Sequence, residues 1–142
     1  MDILNNVNIA QIIDPVTVTA DANSSTIDLA EFGIASIVTL VGESGDTLSG
    51  SVMIELEVQD SPDDSVWTAC ADTDITDAVT GTNTGTYAVI DAAAEDDAVF
   101  STQYIGDKRY CRTVVNVTGT HSNGTPIGAV AMKSGGNYRP QA

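Results

Sequence analysis

The chain has 142 residues, 42% of them hydrophobic, and sets 20 Asp and Glu against five Lys and Arg for a formal net charge of −15. That length suits one domain with one core, and that charge excludes a phosphate-tracking nucleic-acid binder, whose affinity comes from clustered Lys and Arg. It also opposes contact with an anionic membrane, and no apolar run approaches the roughly 20 residues that span a bilayer.

Met1 to Asp14 mixes asparagines with Ile3, Leu4, Val7, Ile9, Ile12 and Ile13 and reads as an N-terminal arm. Apolar residues in such an arm pack either on their own domain or on a neighbouring subunit, and the residues alone do not choose. The start lacks the positive charge and unbroken apolar stretch of a secretory signal, so the chain is expected to stay in the cell that makes it.

Residues 15–134 read as a single β domain, because period-two alternation recurs and no long stretch has apolar residues at helical spacing. Val16 to Ala20 and Thr26 to Leu29 are short strands. Ile34 to Val41 is β-branched and apolar on both sides, as suits a central strand. The loop from Gly42 to Gly50 leads to the clearest alternation, residues 50–59. There Val52, Ile54, Leu56 and Val58 take one face while Met53, Glu55, Glu57 and Gln59 take the other, which predicts a half-buried strand with two exposed glutamates.

Gln59 to Ser65 is a turn cluster, since Pro62 removes a ladder donor and Asp and Ser bond their own backbone. Val66 to Cys70 resumes as a short strand carrying Trp67. Residues 71–86, rich in Asp, Thr, Asn and Gly, are expected to be an exposed loop. Thr86 to Ile90, Ala98 to Ile105, Lys108 to Thr118 and Ile127 to Lys133 are strands, with turns at 91–97 and 119–126. Residues 135–142 form a polar C-terminal tail. The total of about eight or nine short strands points to an all-β antiparallel β-sandwich, immunoglobulin-like or jelly-roll, because periodicity does not encode strand order.

All the acidic residues lie at or before Asp107, whereas Lys108, Arg109, Arg112, Lys133 and Arg139 all follow it. Cross-strand neutralisation within the sheet is the preferred explanation, ahead of a contact site for an acidic partner. Cys70 and Cys111 fall on strands and read as two buried thiols rather than a bridge.

Catalytic signals are weak. His121 sits in a turn sequence, Gly119 to Gly124, and is expected to be a solvated turn residue. Three Asp-rich clusters, at 60–64, 72–77 and 91–97, offer oxygen ligands but lack the spacing of a twelve-residue calcium loop, so solvated acidic loops are preferred. Two cysteines and one histidine lack zinc spacing, and no phosphate-binding glycine loop occurs. No cofactor and no catalytic residue is expected. The aromatics Trp67, Tyr87, Tyr104, Tyr110 and Tyr138 suit a core or subunit contact better than a sugar platform. Two glycosylation patterns, Asn116-Val117-Thr118 and Asn123-Gly124-Thr125, carry little weight without a secretory signal.

Several segments taken together carry a resemblance: Gly45-Asp46-Thr47-Leu48-Ser49-Gly50, then Ser61 with Asp63, Asp64 and Trp67, then Tyr104-Ile105-Gly106-Asp107-Lys108-Arg109-Tyr110-Cys111-Arg112, and finally Thr118 to Gly128. Over about residues 27–133 the arrangement resembles small β-rich virion proteins of tailed bacteriophages encoded near the major capsid protein. The resemblance implies a capsid decoration, or cement, protein on the outside of the head shell, bound to the major capsid protein and often trimeric, with no catalytic residues to carry over. Its candidate contact residues are Ile3, Leu4, Val7 and Ile9 in the arm and the basic set Lys108, Arg109, Arg112, Lys133 and Arg139. A head-to-tail connector or tail protein, and a carbohydrate-binding or adhesive module, are the alternatives.

Overall fold

The computed structural model describes residues 3–135. In chain order the strands are β1 (Asn8–Val18), β2 (Ala22–Asn23), β3 (Ile27–Asp28), β4 (Ile34–Val41), β5 (Met53–Ser61), β6 (Thr68–Ala69), β7 (Thr86–Ile90), β8 (Ala98–Tyr104), β9 (Tyr110–Thr118) and β10 (Thr125–Ser134), with one 3-10 turn at Asp72–Asp74. They form two antiparallel sheets. The first runs β1-β10-β4-β8; in the second, β9 and β5 are central, β2 and β3 flank β9, and β6 and β7 flank β5. The expected β-sandwich is therefore the observed architecture.

Alternation explains what lies between the sheets. From the first sheet Ala35, Ile37, Val41, Ile127, Ala129 and Ala131 point inward, and from the second Ile54, Leu56, Val58, Ile90, Cys111 and Val115 meet them. Each large apolar side chain so enclosed contributes about 1.5–3 kcal/mol. A buried polar contact crosses this core: the Tyr87 hydroxyl of β7 lies 2.8 Å from Thr39 Oγ1 in β4 and 2.8 Å from Thr113 Oγ1 in β9. A buried hydroxyl needs such partners.

Several boundaries differ from the sequence reading. The expected end of the N-terminal arm at residue 14 falls inside β1, whose residues from Asn8 onward pair with β10. This pairing is irregular, with register shifts between Gln11 and Ile13 and between Ile13 and Val16. Pro15 lies in the irregular stretch, where the missing N–H costs no ladder bond; a bulged edge with a proline also discourages further strand addition. The β6 strand is two residues rather than the five of Val66 to Cys70.

The largest correction concerns the outer face of β5. Glu55 and Glu57, expected to face solvent, are buried. The chain from 71 to 86 folds over them: the Thr82 backbone N–H donates to Glu55 Oε1 at 2.7 Å, and the Asn83 side chain donates to Glu57 Oε2 at 2.8 Å. Alternation reports which residues share a face, not whether a later loop covers it. That segment is partly anchored, since Ile75 is buried and bridges Tyr104.

Candidate interaction face

The four described basic residues proposed as contacts are all engaged within the chain. Lys108 Nζ donates to Asp60 Oδ1 at 2.6 Å, and Asp60, itself buried, also accepts from the Tyr104 hydroxyl at 2.9 Å. Arg109 grips Asp28 with two bonds of 2.9 Å and lies over Tyr110. Arg112 donates to Gln59 Oε1 and stacks 4.4 Å above the Trp67 ring. Lys133 caps the Asp28 carbonyl at 3.1 Å and covers Phe32. Two of these four, Lys108 and Arg109, thus pair with carboxylates, whereas Arg112 and Lys133 hold a neutral amide and a backbone carbonyl. Arg139 lies outside the described residues, as does Tyr138.

The acidic clusters are likewise occupied with backbone. Asp63 Oδ1 accepts from the N–H groups of Ser65 and Val66, which lowers its pKa. Glu95 Oε2 accepts from Asp91 and Ala92, and Asp72 from Gly85. Asp46 joins the loops at 42–50 and 119–124 by accepting from the N–H groups of Asn123 and Gly124, again with a lowered pKa, first because of the Asn123 bond. Among the described residues no group of three or more His, Cys, Asp or Glu side chains is placed to hold a metal ion. A cleft of about 530 Å³ is lined by Glu43, Asp46, Asp96 and Asp97, of which Asp46 is the one above and Asp96 accepts from the Ser44 N–H.

His121 corrects its expectation. It is buried rather than solvated. Its Nε2 lies 3.0 Å from the Thr118 carbonyl and its Nδ1 stands 3.7 Å from Asp46 Oδ2. Its Nε2 contact ties the ring to its own turn, while the buried Nδ1 makes no hydrogen bond. Cys70 and Cys111 are both free and buried. The described aromatics form no exposed platform: Tyr87 and Tyr104 are buried, and Trp67 and Tyr110 are half-buried beneath arginines.

What stands out at the surface is the outer face of the first sheet. Register and alternation place Leu40 beside Val99 and Gly128, Val38 beside Ser101 and Val130, and Ser36 beside Gln103 and Met132, with Ile9 and Gln11 extending the rows onto β1. No Asp, Glu, Lys or Arg points outward from these rows. Leu40 (52% exposed), Val99 (63%) and Ile9 (51%) are the exposed large apolar residues among them. A groove of about 270 Å³ runs over Gly128 between Pro15, Leu40, Pro126 and Val130. Asp77 borders the β8 side, and Asp14, held by Gln11, borders the β1 side. An apolar centre with a charged rim is how protein interfaces are built.

Three of the arm residues proposed from sequence are exposed, Ile3 (62%), Leu4 (72%) and Ile9, of which Ile9 lies in these rows, while Val7 is half-buried. The rest of the face was not singled out in the sequence, although a signal existed. Residues 3–13, 34–41, 98–106 and 124–132 contain no charged residue, and the first sheet is drawn almost wholly from them.

No helix among the described residues is long and apolar enough to cross a membrane. No family model matches the chain, and no curated protein matches it. Two solved structures are similar to it in part. A chain from Bacillus endospore appendages, described as a family of disulfide-linked pili, is 16% identical over 91% of this chain and 88% of that one, with a TM-score of 0.45. A chain of infectious bursal disease virus, strain Gx, is 14% identical over 94% of this chain, which spans 33% of that one, with a TM-score of 0.38. Similarity at this level carries no information about what this chain does.

Proposed function

We propose that this protein is a non-enzymatic structural component of an assembled particle, specifically a decoration protein on the head shell of a tailed bacteriophage, with the major capsid protein as its partner. The observation that carries the reading is the uncharged, half-apolar outer surface of the first sheet, with Ile3 and Leu4 also exposed, on a chain of net charge −15. Such a chain is soluble through its acidic loops, and a surface kept free of charge serves contact rather than solubility. The phage assignment draws on the sequence resemblance over about residues 27–133.

In this reading the action is thermodynamic. A protein that binds only the assembled shell stabilises it by mass action, and many copies multiply the effect. Ile3 and Leu4 supply apolar contacts to the shell. The basic residues serve the fold, because Lys108, Arg109, Arg112 and Lys133 already have internal partners.

The test is cryo-electron microscopy of particles carrying the chain, with co-sedimentation of the purified protein on expanded shells. Density bridging capsid subunits on the outer surface, and loss of co-sedimentation in an Ile3→Glu, Leu4→Glu double variant, are the expected results. Density confined to the portal vertex or the tail would replace the reading with a connector or tail role.

A further inference from the structure

We infer that Asn123 is a spontaneous modification site, converted through a cyclic imide with Gly124 to aspartate or isoaspartate, and that Asp46 sets the rate by holding the amide proton that must leave. The inference goes beyond the particle reading above and does not rest on it.

Sequence supplies the chemistry. Asn123 is the one asparagine of the chain followed by glycine, and glycine has no Cβ to shield its nitrogen or restrict its backbone. The Gly124 nitrogen, once deprotonated, attacks Asn123 Cγ. The new C–N bond closes a five-membered ring, and the side-chain nitrogen leaves as ammonia. Solvent water then adds to either carbonyl of the ring and breaks one C–N bond, giving aspartate or isoaspartate. The sum is an amide plus water going to an acid plus ammonia, with no change of oxidation state. Water reaches the site, since Asn123 is exposed.

The loop junction supplies the brake. The Gly124 N–H donates to Asp46 Oδ2 at 2.7 Å, so a carboxylate holds the proton that has to go, and the nitrogen anion left behind would face the same negative charge. The leaving group is held as well: Asn123 Nδ2 donates to the Gly45 carbonyl at 2.9 Å and to Asp46 Oδ1 at 3.3 Å. The backbone bonds from Asn123, first, and Gly124 lower the Asp46 pKa, so the carboxylate is charged wherever the amide can lose its proton.

Release runs one way. After conversion an acceptor oxygen replaces the Nδ2 donor against the Gly45 carbonyl and Asp46 Oδ1, and two carboxylates so placed repel. Isoaspartate also adds a carbon to the main chain, at a place where a Cβ on Gly45 would already lie 2.6 Å from Asn123 Cβ. The junction between the loops at 42–50 and 119–124 therefore does not close again once the amide is lost.

Peptide mapping by mass spectrometry of the full chain, sampled over time in mildly alkaline buffer, tests this. Asn123 in the folded parent should convert at least about tenfold more slowly than in the same chain unfolded by denaturant. Asp46→Asn, incubated well below its melting temperature, should convert Asn123 at least about tenfold faster than the folded parent. Asp63→Asn removes a carboxylate that caps backbone N–H groups in the same way, but at the far end of β5 and β9, and should leave the rate unchanged. A reading that needs no variant is amide exchange in the parent, where the Gly124 N–H should exchange at least about tenfold more slowly than in the unfolded chain. Asn123→Asp, the product made directly, should melt below the parent. Equal rates in the folded and unfolded parent, an unprotected Gly124 N–H, no acceleration in a folded Asp46→Asn, equal acceleration in Asp63→Asn, or an Asn123→Asp chain that melts with the parent would overturn the inference.

Discussion

Asn83 and Glu57 meet through a 2.8 Å hydrogen bond across 26 residues of chain, and this contact closes the loop from 71 to 86 over the outer face of the second sheet. Glu57 Oε2 also accepts from the Asn116 side chain at 2.6 Å, and Oε1 from Gln59 at 3.1 Å. Three amide donors thus converge on one buried carboxylate, which needs no cation because its oxygens are filled by hydrogen bonds.

Glu57→Gln should consequently be harmful despite its similar shape. Its amide NH2 group would face other NH2 groups, leaving donors without acceptors at a cost of about 1–3 kcal/mol. The loop should loosen before the sandwich does, so limited proteolysis should cut between residues 71 and 86 in the variant under conditions where the parent chain is intact. Equal protease resistance would show that the loop is held by Thr82 and Ile75 without this carboxylate.

The Tyr87 hydroxyl is a buried polar link between the sheets. Tyr87→Phe keeps the ring in the core but removes the partner of Thr39 and leaves Thr113 its 3.3 Å bond to the Glu57 carbonyl, at about 1–3 kcal/mol. Chemical denaturation should show a lower midpoint with an unchanged slope, since the surface exposed on unfolding is the same.

The Asp28 carboxyl is lowered to about 2, first by the side-chain hydrogen bond from Arg109. A carboxylate whose folded pKa lies below its unfolded value adds stability above that value and loses it as the pH falls through the folded one. Melting temperature should therefore decline between about pH 4 and pH 2, and Asp46 and Asp63, also lowered, should add to the decline. Arg109→Met should flatten this decline by lowering stability above about pH 4, where the pair is formed, by about 0–1 kcal/mol for so exposed a pair, and should change little near pH 2. At the opposite extreme, Lys108 is raised, first by its bond to Asp60, so its contribution is complete below its ordinary 10.5 and is lost as the pH climbs through the higher folded value.

Burial pushes the Cys70 and Cys111 thiols up to about 12, with Asp60 among the charges opposing both thiolates. Thiolate is the reactive form, so the folded protein should resist thiol reagents at about pH 8 and react at both cysteines only when unfolded. Gly85→Ala offers a companion measurement. At φ +73 its added Cβ would lie 2.7 Å from the Val58 carbonyl and 2.8 Å from Cys70 Sγ. Strain of that kind costs more than about 1 kcal/mol, and labelling of Cys70 should accelerate.

The sequence by itself determined that the chain is an antiparallel β-sandwich and where most strands lie, because a strand with one face in a core must alternate. Ile34–Val41 and Thr86–Ile90 occur as read. Tertiary structure alone decided the rest. Glu55 and Glu57 are buried by a loop some 26 residues away, and His121 is buried because Asp46 ties its turn to another. The candidate face arises because β1, β10, β4 and β8 become neighbours. Each comes from a separate, nearly charge-free stretch, and strand order depends on which faces pack together rather than on any local pattern. Read singly, those stretches are ordinary strands; side by side, they make a surface on which an acidic protein carries no charge.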